Sequence, residues 1–186
     1  FGLKMYKEER TKELVTWVAK QRKLPTYEEN SYSTYSMVKS VDYSDSLYAD
    51  KIINKLHWAD LQARNNKLMT DHKNCAVVFN WMSKHLDRYK RAPLHEKVIA
   101  IDKAVDDFLI GVPDSVTYKE MEHWATPVEA IKKGKGDCED HAILKMAACT
   151  YLGIAEDKVD LVMLDGHAVL AVNEGFTARK TVILDN

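Results

Sequence analysis

The period of the hydrophobic residues changes near residue 153, and this change restricts the possible folds more than any other feature of the sequence. Before it, apolar residues recur at spacings of three and four, which is typical of helices with one buried face. After it, apolar and polar residues alternate, which is typical of strands. Helices followed by strands predict an α+β fold, in which a helical N-terminal lobe packs on a C-terminal antiparallel sheet.

The apolar positions of the predicted helices and the bounds of the predicted strands can be read directly from the sequence. The helical stripes are Ile52, Ile53, Leu56, Ala59 and Ala63, then Cys75, Val78, Phe79, Met82, Leu86 and Tyr89, then Leu94, Val98, Ile101, Val105 and Phe108. The strands are Val159–Leu164, His167–Val172 and Thr181–Asp185. We expect the stripes to form core faces.

Length and charge narrow the function classes. The 186 residues suffice for one domain with a substantial core. Lysine plus arginine number 27 and aspartate plus glutamate 28, and the resulting net charge of −1 gives no electrostatic case for binding nucleic acid or an anionic membrane. No apolar run reaches the roughly 18 residues that a membrane-spanning helix needs. We therefore expect a protein that neither binds nucleic acid nor inserts into a membrane.

We expect a single domain over residues 1–186. Its expected parts are a helix over 3–23 with an irregular arm over 25–46, a helical lobe over 47–153, and antiparallel strands over 158–186. The chain begins at Phe1 rather than at methionine, so we expect a processed product from which a signal peptide has been removed. Because its last residues look like a strand, we also expect the natural chain to continue beyond Asn186.

Two helix starts stand out in the middle of the chain. Residues 126–129, Thr-Pro-Val-Glu, form a capping box with proline at the first helical position, and Gly134 is suited to end that helix. Asp137 is suited to cap a second helix, which would end at Gly153. Cys138 then lies in the first turn, where free N–H groups and the helix dipole favour the nucleophilic thiolate.

The chain has three cysteines, so at least one thiol is free. On a continuous helix Cys138 and Cys149 would lie about 16 Å apart, whereas the Cα atoms of a disulfide lie within about 7 Å. That pair is therefore excluded. A disulfide between Cys138 and Cys75 stays open, although the position of Cys75 on an apolar stripe favours burial as a small core residue.

A nucleophilic cysteine needs a base, and His167 is the best placed of the seven histidines. Pairing Ala171 with Thr181 in a hairpin would place His167 opposite Asp185, close enough for the carboxylate to orient the imidazole. The same pair could equally be an ordinary cross-strand contact. His141, three residues after Cys138, is a second candidate that could simply line its helix.

Three acids surround the cysteine: Asp137, Glu139 and Asp140. Their negative charge opposes formation of the thiolate, against the effect of the helix dipole. They could be cap and first-turn residues that stabilise the helix, or oxygen ligands for a hard cation such as calcium, which would reverse the local field. Both interpretations stay open from the spacing of these residues.

Several motifs together resemble the bacterial transglutaminase-like cysteine proteinases from about residue 75 onwards. They are residues 123–127 (HWATP), 134–142 (GKGDCEDHA), Lys145, 166–170 (GHAVL) and 184–186 (LDN). The resemblance implies a papain-like α+β fold with Cys138 as nucleophile, His167 as general base and acid, and Asp185 as orienter. It also implies that Asp137, Glu139 and Asp140 bind calcium needed for activity, and that Trp124 lines the site and helps to form an oxyanion pocket.

The resemblance further implies a periplasmic endopeptidase that cuts the N-terminal region of a large surface adhesin of biofilms at a dialanine site. An inner-membrane receptor that senses cyclic di-GMP is the expected inhibitor. The sequence departs from the family at His141, where an aromatic residue is expected, and in the arm over 25–46. Two other functions keep the same residues: a peptidoglycan amidase or transglutaminase with this triad, and a catalytically silent, calcium-dependent binding module.

Overall fold

The computed structural model describes residues 43–164, 166–173 and 181–186, with side chains from residue 56 onwards. The elements, numbered in chain order, are α1 (Tyr43–Leu68), α2 (His72–Leu86), a 3₁₀ turn (Asp87–Tyr89), α3 (Leu94–Asp106), β1 (Ile110–Gly111), α4 (Asp114–Thr117), α5 (Pro127–Lys133), β2 (Lys135–Gly136), α6 (Cys138–Tyr151), a second 3₁₀ turn (Glu156–Lys158), β3 (Val159–Leu164), β4 (His167–Asn173) and β5 (Thr181–Leu184). The predicted helix over 3–23 and the arm up to residue 42 lie outside the described residues. Residues 43–46, predicted as part of the arm, belong instead to α1.

The α+β prediction is confirmed: helices come first, and a three-stranded antiparallel sheet follows in the order β3-β4-β5. One face of the sheet packs on α6, which is buried almost throughout because it contacts α3 and α5 on its other sides. Leu161, Leu170 and Leu184 bring the sheet into the same core as the helices. No helix in the described part of the chain is long and apolar enough to cross a bilayer.

The predicted core face of α1 is wrong where side chains are described. Leu56 is 64% exposed, and Ala59 and Ala63 are exposed as well. The helix buries Trp58 and Leu61 instead. Two overlapping apolar stripes run along this helix, and the one that buries larger side chains removes more apolar area from water.

The other two stripes do form core faces. Val78, Met82 and Leu86 of α2 are buried, as are Val98, Ile101 and Val105 of α3. Phe79 is the exception, because it lies 56% exposed with its ring edge-on to Tyr151.

The segment before α6 follows its local sequence signals closely. Thr126 and Glu129 form the predicted capping box at the start of α5, and Gly134 ends that helix with a φ of 63°, a conformation that glycine adopts without strain. The short parallel pair of β1 with β2 then joins Gly111 to Gly136. This pairing brings Asp114, which begins α4, to the N-terminus of α6.

The predicted hairpin register is wrong by two residues. Ala171 of β4 pairs with Ile183 of β5, and Thr181 pairs with Asn173. Because side chains alternate between the two faces of a strand, a shift of two keeps every side chain on its predicted face. His167 and Asp185 are therefore diagonal neighbours instead of directly opposed ones.

Candidate active site

Cys138 is the first residue of α6, and its half-buried thiol lies against the start of β4. The Ala168 N–H donates to Sγ at 3.3 Å, and Sγ donates to Glu139 Oε2 at 3.2 Å. This contact places the sulfur beside Ala168, the residue that directly follows His167. All three cysteines are free, so the disulfide to Cys75 that the sequence left open does not form.

His167 and Asp185 are in contact despite the shifted register. The distance between His167 Nε2 and Asp185 Oδ1 is 2.6 Å. Since a carboxylate accepts only, Nε2 carries the proton, and in a neutral ring Nδ1 keeps its lone pair. Gly166, directly before His167, has a φ of 63°, which favours glycine where the chain enters β4. An oriented imidazole with a free basic nitrogen is what a general base requires.

The third contact expected of a catalytic triad is absent from the described residues: Cys138 Sγ makes no direct hydrogen bond to the His167 ring. The thiol is also far from ionised, because burial and the neighbouring Glu139 carboxyl raise the pKa of Cys138 to about 12. The missing hydrogen bond and the raised pKa both lower the reactivity of the Cys138 thiol when no cation is bound. The catalytic roles of Cys138, His167 and Asp185 stay predictions.

Carboxyl groups converge beside Cys138 in two overlapping sets that share Asp114. The first set is Asp114, Asp137 and Asp140, and the second is Asp114, Glu122 and Glu139. Within each set one oxygen per residue lies within 4.8 Å of the others. Oxygens on opposite sides of a calcium ion are about 4.6–5.2 Å apart, so the spacing fits shared ligation of one ion.

Three buried oxygens of this cluster make no hydrogen bond to the described residues. Asp114 Oδ1, Asp137 Oδ1 and Asp140 Oδ2 are buried and have no hydrogen-bond partner within the described part of the chain. Asp137 occupies the N-cap position, yet its side chain makes no capping hydrogen bond. Orphaned buried carboxylate oxygens are costly unless a cation satisfies them. The donor set therefore fits a hard divalent cation better than it fits helix caps.

The electrostatics of the cluster lead to the same conclusion. Burial, with the charges of neighbouring carboxylates, raises the pKa of Asp114 to about 6, of Asp140 to about 8 and of Glu139 to about 9. Buried acids placed so close together cannot all ionise at neutral pH without a nearby positive charge. A bound cation would supply that charge.

The acidic cluster also holds the segment that precedes α5. Asp140 Oδ1 accepts from the Ala125 N–H at 2.7 Å, and Asp114 Oδ2 accepts from the His123 N–H. Gly136 makes the close approach of Asp140 possible, because a Cβ at that position would meet the Asp140 Cβ and Oδ2 at 2.5 Å. The loop, the cluster and the start of α6 thus form one unit.

Two members of the cluster, Asp114 and Glu122, were not predicted from the sequence. Neither belongs to a recognisable motif, and Asp114 is separated from Asp137 by the whole of α4, α5 and the intervening loop. The β1–β2 pairing brings them together. The sequence signal at Asp114 is limited to its place after the proline that follows the third apolar stripe.

Trp124 is buried next to the acidic cluster. Its indole Nε1–H donates to Glu122 Oε1 at 2.9 Å, and its ring stacks on His57 with centroids 5.6 Å apart. The Arg64 guanidinium donates to the Trp124 carbonyl at 2.6 Å. The indole donor is thus engaged by a carboxylate, and the oxyanion role stays a prediction. The His141 ring contacts α3 instead, with Nδ1 3.0 Å from Asp106 Oδ1.

Several known protein structures are similar to this chain. Solved structures similar to this chain include LapG from Legionella pneumophila in its calcium-bound form, with 23% identity, 66% of this chain and 71% of that chain covered, and a TM-score of 0.49. The EGTA-treated form of the same protein gives 22% identity, 67% and 69% coverage, and a TM-score of 0.47. No curated protein sequence matches the chain.

A family profile provides the assignment. The profile described as bacterial transglutaminase-like cysteine proteinase, BTLCP, matches residues 69–186, well over half of the chain. The matched range contains helix α6 with Cys138, the three-stranded sheet and the acidic cluster. The resemblance seen in the motifs is confirmed, and the chain belongs to the bacterial transglutaminase-like cysteine proteinases.

Proposed function

We propose that this chain is a calcium-dependent cysteine endopeptidase that uses Cys138, His167 and Asp185. The observation that carries the proposal is the 2.6 Å contact between His167 Nε2 and Asp185 Oδ1, formed beside the residue whose amide binds Cys138 Sγ. A polarised imidazole next to a cysteine at a helix N-terminus is the arrangement that acyl transfer through a thioester requires.

In this mechanism His167 Nδ1 removes the proton from Cys138 Sγ, and the sulfur attacks the scissile carbonyl carbon. The backbone N–H of Cys138, at the start of α6, is free of an intrahelical partner and can stabilise the oxyanion. His167 returns the proton to the leaving amine, which breaks the C–N bond and leaves a thioester. The same imidazole then activates water for hydrolysis, while Asp185 holds the ring in its tautomer.

We assign four residues of the acidic cluster to calcium: Asp114, Asp137, Glu139 and Asp140. Glu122 is the fifth member of the cluster. A bound cation supplies positive charge beside the nucleophile, which offsets the carboxyl groups that raise the pKa of Cys138. Its effect on activity is therefore electrostatic. The orphaned oxygens of Asp114, Asp137 and Asp140 support this assignment.

For the substrate we propose the N-terminal region of a large cell-surface adhesin of biofilms, cut at a dialanine site in the periplasm. For control we propose sequestration by an inner-membrane receptor that senses cyclic di-GMP. Both proposals follow from the family resemblance carried by the motifs around Cys138 and His167.

One cleavage assay tests the proposal. An adhesin N-terminal fragment is incubated with the wild-type chain, with Cys138→Ala and with Cys75→Ala as the matched control, each in calcium and in EGTA. We expect cleavage by wild type and Cys75→Ala in calcium, and none by Cys138→Ala or in EGTA. Cleavage by Cys138→Ala would refute the nucleophile, and full activity in EGTA would refute the calcium requirement.

The same samples distinguish the other functions. Incorporation of a primary amine into the fragment, or release of a peptide from peptidoglycan, in place of hydrolysis of the fragment would indicate a transglutaminase or an amidase with the same triad. Receptor binding without any reaction, equal in wild type and Cys138→Ala, would indicate a silent binding module.

A further inference from the structure

A lysine lies in the core behind the candidate active site. Lys145 is on α6, about two turns after Cys138 and on the same side of the helix. Its side chain is fully buried, with 0% of its surface exposed. A buried ammonium group is retained when it is paired and fully hydrogen-bonded, so its partners indicate its role.

The Lys145 ammonium has three partners on two elements that flank α6. It donates to Asp102 Oδ1 at 2.6 Å and to Asp106 Oδ2 at 3.1 Å, both on α3. It also donates to the main-chain carbonyl of Asp185 at 3.0 Å. Asp106 Oδ1 also lies 2.9 Å from Nζ, so the ammonium group faces four oxygens of three partner residues.

The contact with Asp185 is the one that bears on catalysis. The pairing of β5 with β4 ends at Leu184 opposite Leu170, so Asp185 lies just beyond the ladder. Its carbonyl is instead held by Lys145, and its carboxylate contacts His167. Lys145 thus holds the main chain of the residue whose carboxylate contacts His167.

We propose that Lys145 is a positioning residue, which fixes the Asp185 backbone so that the Asp185 carboxylate holds the His167 ring. This inference rests on the proposed function, because it takes Asp185 to be the orienter of His167. It also explains why a lysine lies in the most buried stretch of the nucleophile helix: the same ammonium group ties α3 and the end of β5 to α6.

A purely structural role would be the neutralisation of the two partly buried carboxylates of Asp102 and Asp106. The two roles can be separated, because Asp102→Asn removes one of those charges without touching the contact to Asp185. In the double variant Lys145→Met/Asp102→Asn, a cation and an anion are lost together and the core keeps nearly the same volume. Asp102→Asn alone is the reference for this double variant.

The first measurement is the low-field proton NMR signal of His167 Nε2–H in the full chain with calcium, which reports the hydrogen bond to Asp185. We expect the signal in wild type and in Asp102→Asn, and its loss or a marked upfield shift in the double variant. An unchanged signal in the double variant would overturn the proposal. This measurement uses no substrate, so it decides the positioning role even if the proposed adhesin is not cleaved.

The second measurement is the kinetics of fragment cleavage by the variants that fold. We expect the double variant to have a kcat about 100-fold below that of Asp102→Asn, with KM within about threefold, because a misplaced general base affects the chemical step more than binding. Equal kcat values would overturn the proposal. If neither Lys145→Met nor the double variant folds, Lys145 is a structural residue and the proposal also fails.

Discussion

Replacement of Asp114 by asparagine should have opposite effects on stability with and without calcium. The side chain is 2% exposed, and in the cation-free protein burial and the neighbouring Asp137 and Glu122 raise the pKa of its carboxyl group from 3.8 to about 6. A shift of about two pH units corresponds to a cost of about 3 kcal/mol for keeping this group ionised at neutral pH. Asparagine has nearly the same shape and carries no charge.

The sign of the pH dependence follows from the direction of the shift. Between about pH 4 and pH 6 the folded state binds the Asp114 proton more tightly than the unfolded state does, so this group lowers stability as the pH rises through that window. Above pH 6 the full cost is present. In EGTA at pH 7.5 we therefore expect Asp114→Asn to be more stable than wild type by about 1–3 kcal/mol, a rise in Tm of about 3–8 °C.

With calcium the order should reverse, since the variant lacks one charged ligand. We expect its calcium affinity to fall by about 1,000-fold, which at saturating calcium costs about 4 kcal/mol and outweighs the gain of about 1–3 kcal/mol in EGTA. Thermal unfolding in calcium and in EGTA, with isothermal titration of calcium, measures both effects. Asp107→Asn, at an exposed acid that is not a member of the cluster, is the control. Equal destabilisation of Asp114→Asn in both conditions would refute the ligand assignment.

Two further predictions concern the same region. Gly136→Ala places a Cβ 2.5 Å from the Asp140 side chain, so it should lower the free energy of unfolding by about 1–3 kcal/mol and abolish calcium binding. Gly111→Ala, whose Cβ would meet nothing within 4 Å, should change neither property. Equal unfolding curves for the two variants would contradict this prediction. Glu139→Gln removes a charge that raises the pKa of Cys138 once the Glu139 carboxyl group, with a pKa of about 9, is ionised. In EGTA at about pH 10 the iodoacetamide alkylation rate of Cys138, followed by mass spectrometry, should therefore rise several-fold, and an unchanged rate would count against this electrostatic account.

The fold class was predictable because it depends on local periodicity. The switch from helical to alternating pattern predicted helices followed by an antiparallel sheet, and the capping box at Thr126 with Gly134 predicted both ends of α5. These signals act within a few residues of one another, so tertiary contacts did not override them.

The errors arose where the outcome depends on distant contacts. Alternation fixed which face of β4 carries His167, but the register with β5 also depends on the connection between the strands, and it shifted by two residues. In α1 two apolar stripes competed, and Trp58 faces the core in place of Leu56.

The candidate site was predictable only in part. The motif around Cys138 indicated three acids of the cluster, whereas Asp114 and Glu122 come from a loop that reaches α6 through the β1–β2 pairing. Lys145 was noted as a motif residue, but the sequence contains no sign that its ammonium group reaches the Asp185 carbonyl.

The central claim is that Cys138 is a nucleophile activated by His167, and covalent trapping tests it most directly. The chain in calcium is treated with a peptidyl chloromethyl ketone that ends in Ala-Ala, and the adduct is located by mass spectrometry. We predict one adduct per chain at Cys138, formed at least about 100-fold more slowly by His167→Ala and suppressed in EGTA. Modification at Cys75 or Cys149 instead, or equal labelling of Cys138 in His167→Ala, would contradict the account.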